Sequence, residues 1–457
     1  MKHLLLSTAA LSLAACATTS PPVSNLTPMP TAFDYAGALA NIERGDALWW
    51  TTFNDAELDS LVEQAIAANQ DIAAGVASLR SAQASVRIAN ASLFPQLGAG
   101  ASASSNTQGS GLDDVSASAR GSASYQLDLF GQSRASRAAS RASYEAQQFD
   151  QRTLELTVAS NVAFTYFSVL AARERLDVAR SNFEISERIF DIIQTRYEAG
   201  DVSRFDLASQ EASLANARAR LPQIRQQLVS LETALSVLLG QPPQGFTAPQ
   251  GNLLAMTPPA INPGMPSELL LRRPDLLSAE AQLRAADANV AAAQRAFFPS
   301  IDLSTGVNAS LTGGTSVIGS LAASLAAPIF TGGRLEGQLD AAEARVEQQI
   351  ARYRQAALNA LRDVDVSLSA LATAEQREEQ LVVARNAAQT SLSLAEIRYR
   401  SGADDLTSLL NAQSTFFSAS DSLVQGRLDR LSAAIDLYVA IGGGWDQCSD
   451  PGACQHS

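Results

Sequence analysis

Apolar residues follow two different spacings along this chain, and the alternation between them happens twice. Leu58, Leu61, Val62, Ile66, Ile72, Val76, Leu79, Val86 and Leu93 keep helical spacing. Asn54 or Asp55 can cap such a helix near Ala56, and Phe94-Pro95 ends it. Beyond Pro95 the period falls to two. Leu97, Ala99, Ala101 and Ala103 alternate with Gln96, Gly98, Gly100, Ser102 and Ser104. After a polar loop a second run sets Val115, Ala117, Ala119, Gly121, Ala123, Tyr125, Leu127 and Leu129 against Ser116, Ser118, Arg120, Ser122, Ser124, Gln126 and Asp128. Ile301 to Leu311 and Val317 to Ile329 repeat the design around a turn at Gly313-Gly314. Strands of about ten residues with one apolar and one polar face fit transmembrane β-strands, or else two surface hairpins. Four strands cannot close a barrel, for which about eight is the minimum. If these cross a membrane, several chains must share one barrel.

Each strand pair leads into a long helix. Ser133 to Ala199 contains neither proline nor glycine, and Leu335 to Ser401 contains only Gly337. Some 67 residues at about 1.5 Å each give helices of roughly 100 Å, lengths that require coiled-coil packing. The helices returning after Gly200 and Gly402 carry the seams. Leu207, Leu214, Leu221, Leu228 and Leu235 recur every seven residues, joined by Ala217, Ile224, Leu231 and Leu238. Pro222 inside this seam should kink the helix or interrupt its hydrogen-bond ladder. Leu410, Phe417, Val424, Leu431 and Tyr438 form the second seam, beside Leu409, Phe416, Leu423 and Leu437.

The two halves are copies. Arg196-Tyr197-Glu198-Ala199-Gly200 returns as Arg398-Tyr399-Arg400-Ser401-Gly402, and Leu239-Gly240 as Ile441-Gly442, at an offset of 202. Asp71, Leu79-Arg80 and Phe94-Pro95 return as Asp275, Leu283-Arg284 and Phe298-Pro299 at 204. A repeat this long marks a duplicated structural unit. A Pro/Gly-rich segment from Gln241 to Pro266 joins the copies.

Composition and the N-terminus narrow the function. Charged residues are 17%, aromatics 6%, and Lys2 is the only lysine. A formal charge of -13 excludes nucleic acid as a partner, because a phosphate backbone needs a basic face. Lys2, the apolar run Leu4 to Leu13 and Leu13-Ala14-Ala15-Cys16 read as a secretory signal. Leu-Ala-Ala-Cys resembles the bacterial lipoprotein box, with lipid on the Cys16 thiol; the alternative is an ordinary signal with an incidental cysteine. Ala17, rather than aspartate, after Cys16 favours the outer membrane, and Ala17 to Pro30 reads as a tether. No later stretch holds eighteen consecutive apolar residues, so no membrane-spanning helix is expected.

Chemistry is poorly supplied. The two histidines are His3 and His456, and no phosphate-binding loop, dinucleotide fingerprint, HExxH or GxSxG occurs. Neither catalysis, nor a cofactor, nor a metal is expected. Cys448 and Cys454 can close a small disulfide loop in an oxidising compartment; with His456 they would make only a weak metal motif. Gly200 and Gly402 allow the left-handed turn between two helices, and would also present the far ends of the hairpins to a partner.

Together these residues resemble an outer-membrane factor, the TolC-like channel family of tripartite efflux pumps, in its lipoprotein (NodT-type) branch. The resemblance rests on Trp49-Trp50 with Phe53, Leu271-Arg272-Arg273-Pro274-Asp275, both Phe-Pro strand starts, Leu129-Phe130-Gly131 with Pro328-Ile329-Phe330-Thr331-Gly332-Gly333, and the two Arg-Tyr-x-x-Gly turns. It implies a mainly α fold with a small β portion. A long antiparallel coiled-coil helical barrel would continue into a transmembrane β-barrel of twelve strands, four from each chain of a homotrimer. Implied segments are a signal peptide 1–15, a lipid-anchored stretch 16–48, repeats 49–240 and 267–442, an equatorial linker 241–266 and a polar tail 443–457.

The implied protein sits in the outer membrane with its tunnel in the periplasm. It passively conducts drugs or other small toxic compounds delivered by an inner-membrane transporter and a periplasmic adaptor, a membrane fusion protein. Arg196, Tyr197, Gly200, Arg398, Tyr399 and Gly402 would form the adaptor-docking tips. Members often place carboxylates six and nine residues after the second tip glycine; here Ser408 and Asn411 stand there. Asp404 and Asp405 lie nearer the turn, and Asp206 holds the six-residue position of the first repeat, so an acidic ring at the mouth is expected to be displaced or weakened. A protein-secretion duct would use the same architecture, and a lipid-anchored scaffold without a pore is the reading from another class.

Overall fold

The computed structural model describes residues 30–33, 48–105, 115–261, 264–310 and 316–443. Cys16, Cys448 and Cys454 lie outside the described residues, as does the tether. Chain order is α1 (Ala56–Ala68), α2 (Gln70–Ala91), β1 (Gln96–Ser105), β2 (Val115–Leu127), α3 (Gln132–Glu198), α4 (Arg204–Leu238), α5 (Leu269–Arg272), α6 (Pro274–Arg295), β3 (Ser300–Ser310), β4 (Ser316–Ala326), α7 (Arg334–Arg400) and α8 (Leu406–Ala440). The duplication is literal: α3 and α7 have 67 residues each, α4 and α8 have 35 each. Two compact units interleave these copies. One comprises Leu79–Gln148 with Ser278–Ala357; the other comprises Pro30–Ser78, Phe149–Leu277 and Leu358–Ser457.

The strand unit is one antiparallel sheet in the order β1-β2-β3-β4. Its register keeps the two chemical faces apart. Leu97 pairs with Ala123, which pairs with Thr305 and then Leu321; Ala99 leads through Gly121 and Val307 to Gly319. The opposite face runs Ser102, Ser118, Ser310, Ser316 and Gly100, Arg120, Asn308, Ile318. A slip of one residue would exchange the faces, so alternation fixes the register. The strands stop earlier than their alternation suggests. β2 ends at Leu127 and β4 at Ala326, leaving Leu129 and Ile329 in the turns beyond. The Asp128 carboxylate explains the first stop: it accepts from the backbone of Ser133 and Arg134, capping α3, while Arg134 donates back to it and to its carbonyl.

In the helical unit the single helix expected over 56–94 is two. Asn69 is extended (ψ 132°), and its Oδ1 accepts from the backbone of Asp71 and Ile72 to cap α2. Its Nδ2 donates at 2.8 Å to the carbonyl of Leu238, near the end of α4. The second copy reaches the same result with another side chain. Arg273, before Pro274, is also extended and donates at 3.1 Å to the carbonyl of Ala440 at the end of α8. Arg273 is itself held by Asp275 and Asp363. Gly240 and Gly442 follow those helix ends at positive φ, and a Cβ on either would meet a backbone carbonyl, of Ala68 or Arg272, at 2.3 or 2.7 Å. Glycine is required at both.

The heptad seam of α4 is buried at Leu207, Ala217, Ile224 and Leu235 and half-buried between. α4 is continuous through Pro222, whose missing N–H interrupts the hydrogen-bond ladder at the carbonyl of Arg218. One eighteen-residue window of α3 reaches a mean hydropathy of 1.3, apolar enough to cross a membrane, but 56% of it is buried in the fold, as in a core helix. Trp49 stacks on Tyr438 with ring centroids 5.5 Å apart and meets Trp50 and Phe53 edge-on. The segment joining the copies is strapped down by arginine. Arg173 donates to the carbonyls of Ala248 and Pro249, and Arg427 to that of Met256 at 2.7 Å.

Candidate functional site

Two parts of the molecule have the chemistry of a channel. The first is the sheet. Leu97, Val307, Val317, Leu321 and Leu325 stand on its apolar face and are exposed, which suits lipid rather than water. Exposed or half-exposed Phe94, Phe130, Phe297, Ile329 and Phe330 lie in the segments where strands and helices meet. Phe130 stacks on Phe298 at 4.8 Å. Aromatic side chains suit the level where hydrocarbon meets headgroups, which fits these residues to one end of a membrane-spanning sheet. Among the described residues, β1 and β4 each pair on one side only. With four alternating strands, β4 of one copy would meet β1 of another antiparallel.

The second part is the pair of turns. Both end in the same backbone motif. Gly200 (φ +82°) donates to Tyr197 and Asp201 to Arg196; Gly402 (φ +74°) donates to Tyr399 and Ala403 to Arg398. These bonds satisfy the last carbonyls of α3 and α7, and only a residue free to adopt positive φ fits. The side chains diverge. Arg196 crosses to the other turn, donating to the carbonyls of Tyr399 (3.4 Å) and Arg400 (3.2 Å), with its guanidinium 4.9 Å above the Tyr399 ring. Its counterpart Arg398 stays in its own turn, paired with Asp404 at 3.2 Å. Tyr399 is buried among Ile189, Ile193, Leu392, Leu406 and Leu409, whereas Tyr197 is exposed.

The expected mouth carboxylates are each engaged locally. Asp206 forms a capping box with Ser203, accepting from its backbone at 3.0 Å and its hydroxyl at 2.7 Å. Asp405 caps α8 through the Ser408 N–H at 2.8 Å, and that hydrogen bond holds its carboxyl below the usual range. Asn411 is exposed, its carbonyl taken by Thr415. The residues at positions six and nine thus belong to the first two turns of α8, Asp404 and Asp405 sit in the connection before it, and Asp206 lies in the first turn of α4.

Sequence reasoning missed the polar keys behind the turns. Gln210 (α4) and Gln413 (α8) are buried and converge on Ser186 of α3. Gln210 donates to its carbonyl at 2.8 Å, and Gln413 to its hydroxyl at 2.5 Å and to Asn182. Arg175 of α3 pairs with Asp421 of α8 through two bonds of 2.6 and 3.2 Å. Glu378 of α7 is 3% exposed and lies between Arg427 (2.6 Å) and Arg430 (3.2 Å). The offset of 202 maps Glu378 onto Leu176 and Arg430 onto Leu228, which share an apolar cluster in the first copy. Aligning the copies column by column would have exposed that exchange of a hydrophobic pair for an ionic one.

A strand sheet with lipid-compatible and hydroxyl faces and two open edges, carried by duplicated helical hairpins, defines a subunit of a membrane channel. The family model described as outer membrane efflux protein matches residues 61–241 and again 265–443, and the chain belongs to that family. It is 37% identical to the pyoverdine export outer membrane protein OpmQ of Pseudomonas aeruginosa over 97% of both chains. It is 32% identical to outer membrane protein OprJ of the same species, covering 96% of this chain and 95% of that one. Among solved structures, the outer-membrane channel OprN superposes with a TM-score of 0.82 at 29% identity, over 92% of this chain and 98% of that one. The open state of Neisseria gonorrhoeae MtrE gives 0.79 at 27%, over the same shares. The protein is an outer-membrane efflux channel component, in a family of channel proteins rather than enzymes.

Proposed function

We propose that three copies assemble, β4 of one against β1 of the next, into a twelve-stranded barrel that receives small molecules from a periplasmic adaptor and an inner-membrane transporter. The open edges of a sheet whose apolar face is exposed carry this reading. An edge strand left unpaired in a bilayer leaves backbone groups without partners, at several kcal/mol each, and closure removes the edges. Cys16 would carry the lipid anchor, Cys448 and Cys454 a small disulfide, and the turns at Gly200 and Gly402 would meet the adaptor. The relatives support small-molecule cargo: OpmQ is named for pyoverdine export and Escherichia coli CusC, at 30% identity, for cation efflux. Native mass spectrometry of the detergent-extracted protein tests the assembly. A trimer with a diacylglyceryl mass on its N-terminal peptide is expected, and a monomer under conditions that preserve channel activity would refute the shared barrel.

A further inference from the structure

We propose that Arg120 is the residue that sets ion preference in the strand-lined passage, forming a positive ring that favours anionic cargo. The inference rests on the trimeric barrel argued above. In such a barrel the apolar face meets lipid and the other face lines the pore. On that inner face the described residues are almost all serine, glycine, alanine or amide. Its only charged members among them are Arg120 and Asp302. They are far apart. Arg120 pairs with Asn308 and Gln126 with Asp302, six positions further along, a separation of about 20 Å at strand rise.

The surroundings of Arg120 leave it free to reach inward. It faces Gly100 on β1 and Asn308 on β3, with Ser118 and Ser122 beside it on its own strand, so none of these neighbours offers a carboxylate. A Cβ built on Gly100 would meet nothing within 4 Å, and Arg120 is exposed. Twelve tilted strands at about 4.8 Å spacing give a barrel of roughly 12 Å backbone radius. An extended arginine reaches about halfway to that axis. Three guanidinium groups at one height would therefore all lie within about one Debye length (10 Å at 0.1 M salt) of any solute passing through. Against the neutral Gly100, Asn308 and Ile318 in its own row, this ring is the dominant fixed charge at its height. It favours small molecules carrying carboxylate, sulfonate or phosphate groups.

Planar bilayers holding the purified full-length protein provide the test, with the trianion 8-hydroxypyrene-1,3,6-trisulfonate added to each chamber in turn. The wild type should be blocked from the side of the β1–β2 and β3–β4 connections. Arg120→Ser and Arg120→Gln should weaken that block at least about tenfold, Arg120→Lys should retain it, and Arg120→Glu should exchange it for block by spermine. Equal block of wild type and Arg120→Ser, or none in either conducting channel, would overturn the ring. A wild type that inserts yet passes no current would overturn the pore reading itself, and the ring with it.

Discussion

Arg196 holds Tyr399 twice: its guanidinium lies 4.9 Å above the tyrosine ring and donates to the same residue's carbonyl. The first hairpin thereby grips the end of the second. The equivalent Arg398 makes no such crossing and closes its own turn on Asp404. The duplication gives both turns the same backbone, and the divergence of their side chains gives them different work.

Removing that grip should loosen the tips. Arg196→Ala is expected to raise single-channel conductance and the entry of bulky antibiotics several-fold, since it deletes a cation–π contact of about 0.5–2 kcal/mol and two hydrogen bonds. Arg196→Lys should be intermediate, because an ammonium cannot bridge both carbonyls while lying flat on the ring. Unchanged conductance in both variants would show that the grip does not hold the resting state.

The tyrosine hydroxyl itself should be dispensable. Tyr399 Oη is buried with no hydrogen-bond partner among the described residues, so Tyr399→Phe keeps the ring under Arg196 and removes only an unsatisfied group. Conductance should match the wild type and stability should hold or rise slightly. Tyr399→Ala should leak and melt earlier, by about 3 kcal/mol for a lost buried aromatic. Leakage of the Phe variant would mean that the hydroxyl has a partner in the assembled trimer.

The buried ionic key in the second copy can be exchanged for the first copy's apolar one. Glu378→Ala leaves Arg427 and Arg430 without their shared carboxylate and should cost about 3 kcal/mol. The double change Glu378→Leu with Arg430→Leu recreates the Leu176–Leu228 pair and removes one of the two stranded guanidiniums, so it should recover part of that loss, while Arg427 keeps only its bond to the Met256 carbonyl. Thermal unfolding of the two variants decides; a double variant no better than Glu378→Ala would mean the site needs its charges.

Gly240→Ala and Gly442→Ala should both be severely destabilising, because each adds a Cβ against a backbone carbonyl at positive φ. Gly200→Ala should cost less, about 1 kcal/mol, since it has the same φ but open space around it. Trimer melting temperatures in that order support the account of the helix ends. Equal losses at all three positions would contradict it.

Much of this was legible in the sequence because it is periodic. The long helices, the four strands and the two glycine turns follow from apolar spacing and repeat. What escaped depends on single side chains acting across the fold. Asn69 sits within an unbroken helical pattern, and only its bond to Leu238 shows why the helix divides there. Asp206 and Asp405 are acidic and near a turn, which suits a mouth, yet their hydrogen bonds are those of helix caps. The Glu378 and Gln413 keys occupy positions where a heptad predicts apolar residues, so the pattern alone passes over them.

Single-channel recording of the purified protein beside Arg196→Ala tests whether the Arg196–Tyr399 contacts restrict the proposed trimeric channel. Discrete trimer conductances are expected from both, low in the wild type and several-fold higher in the variant. Reconstituted trimers that pass no current in either form would contradict that channel.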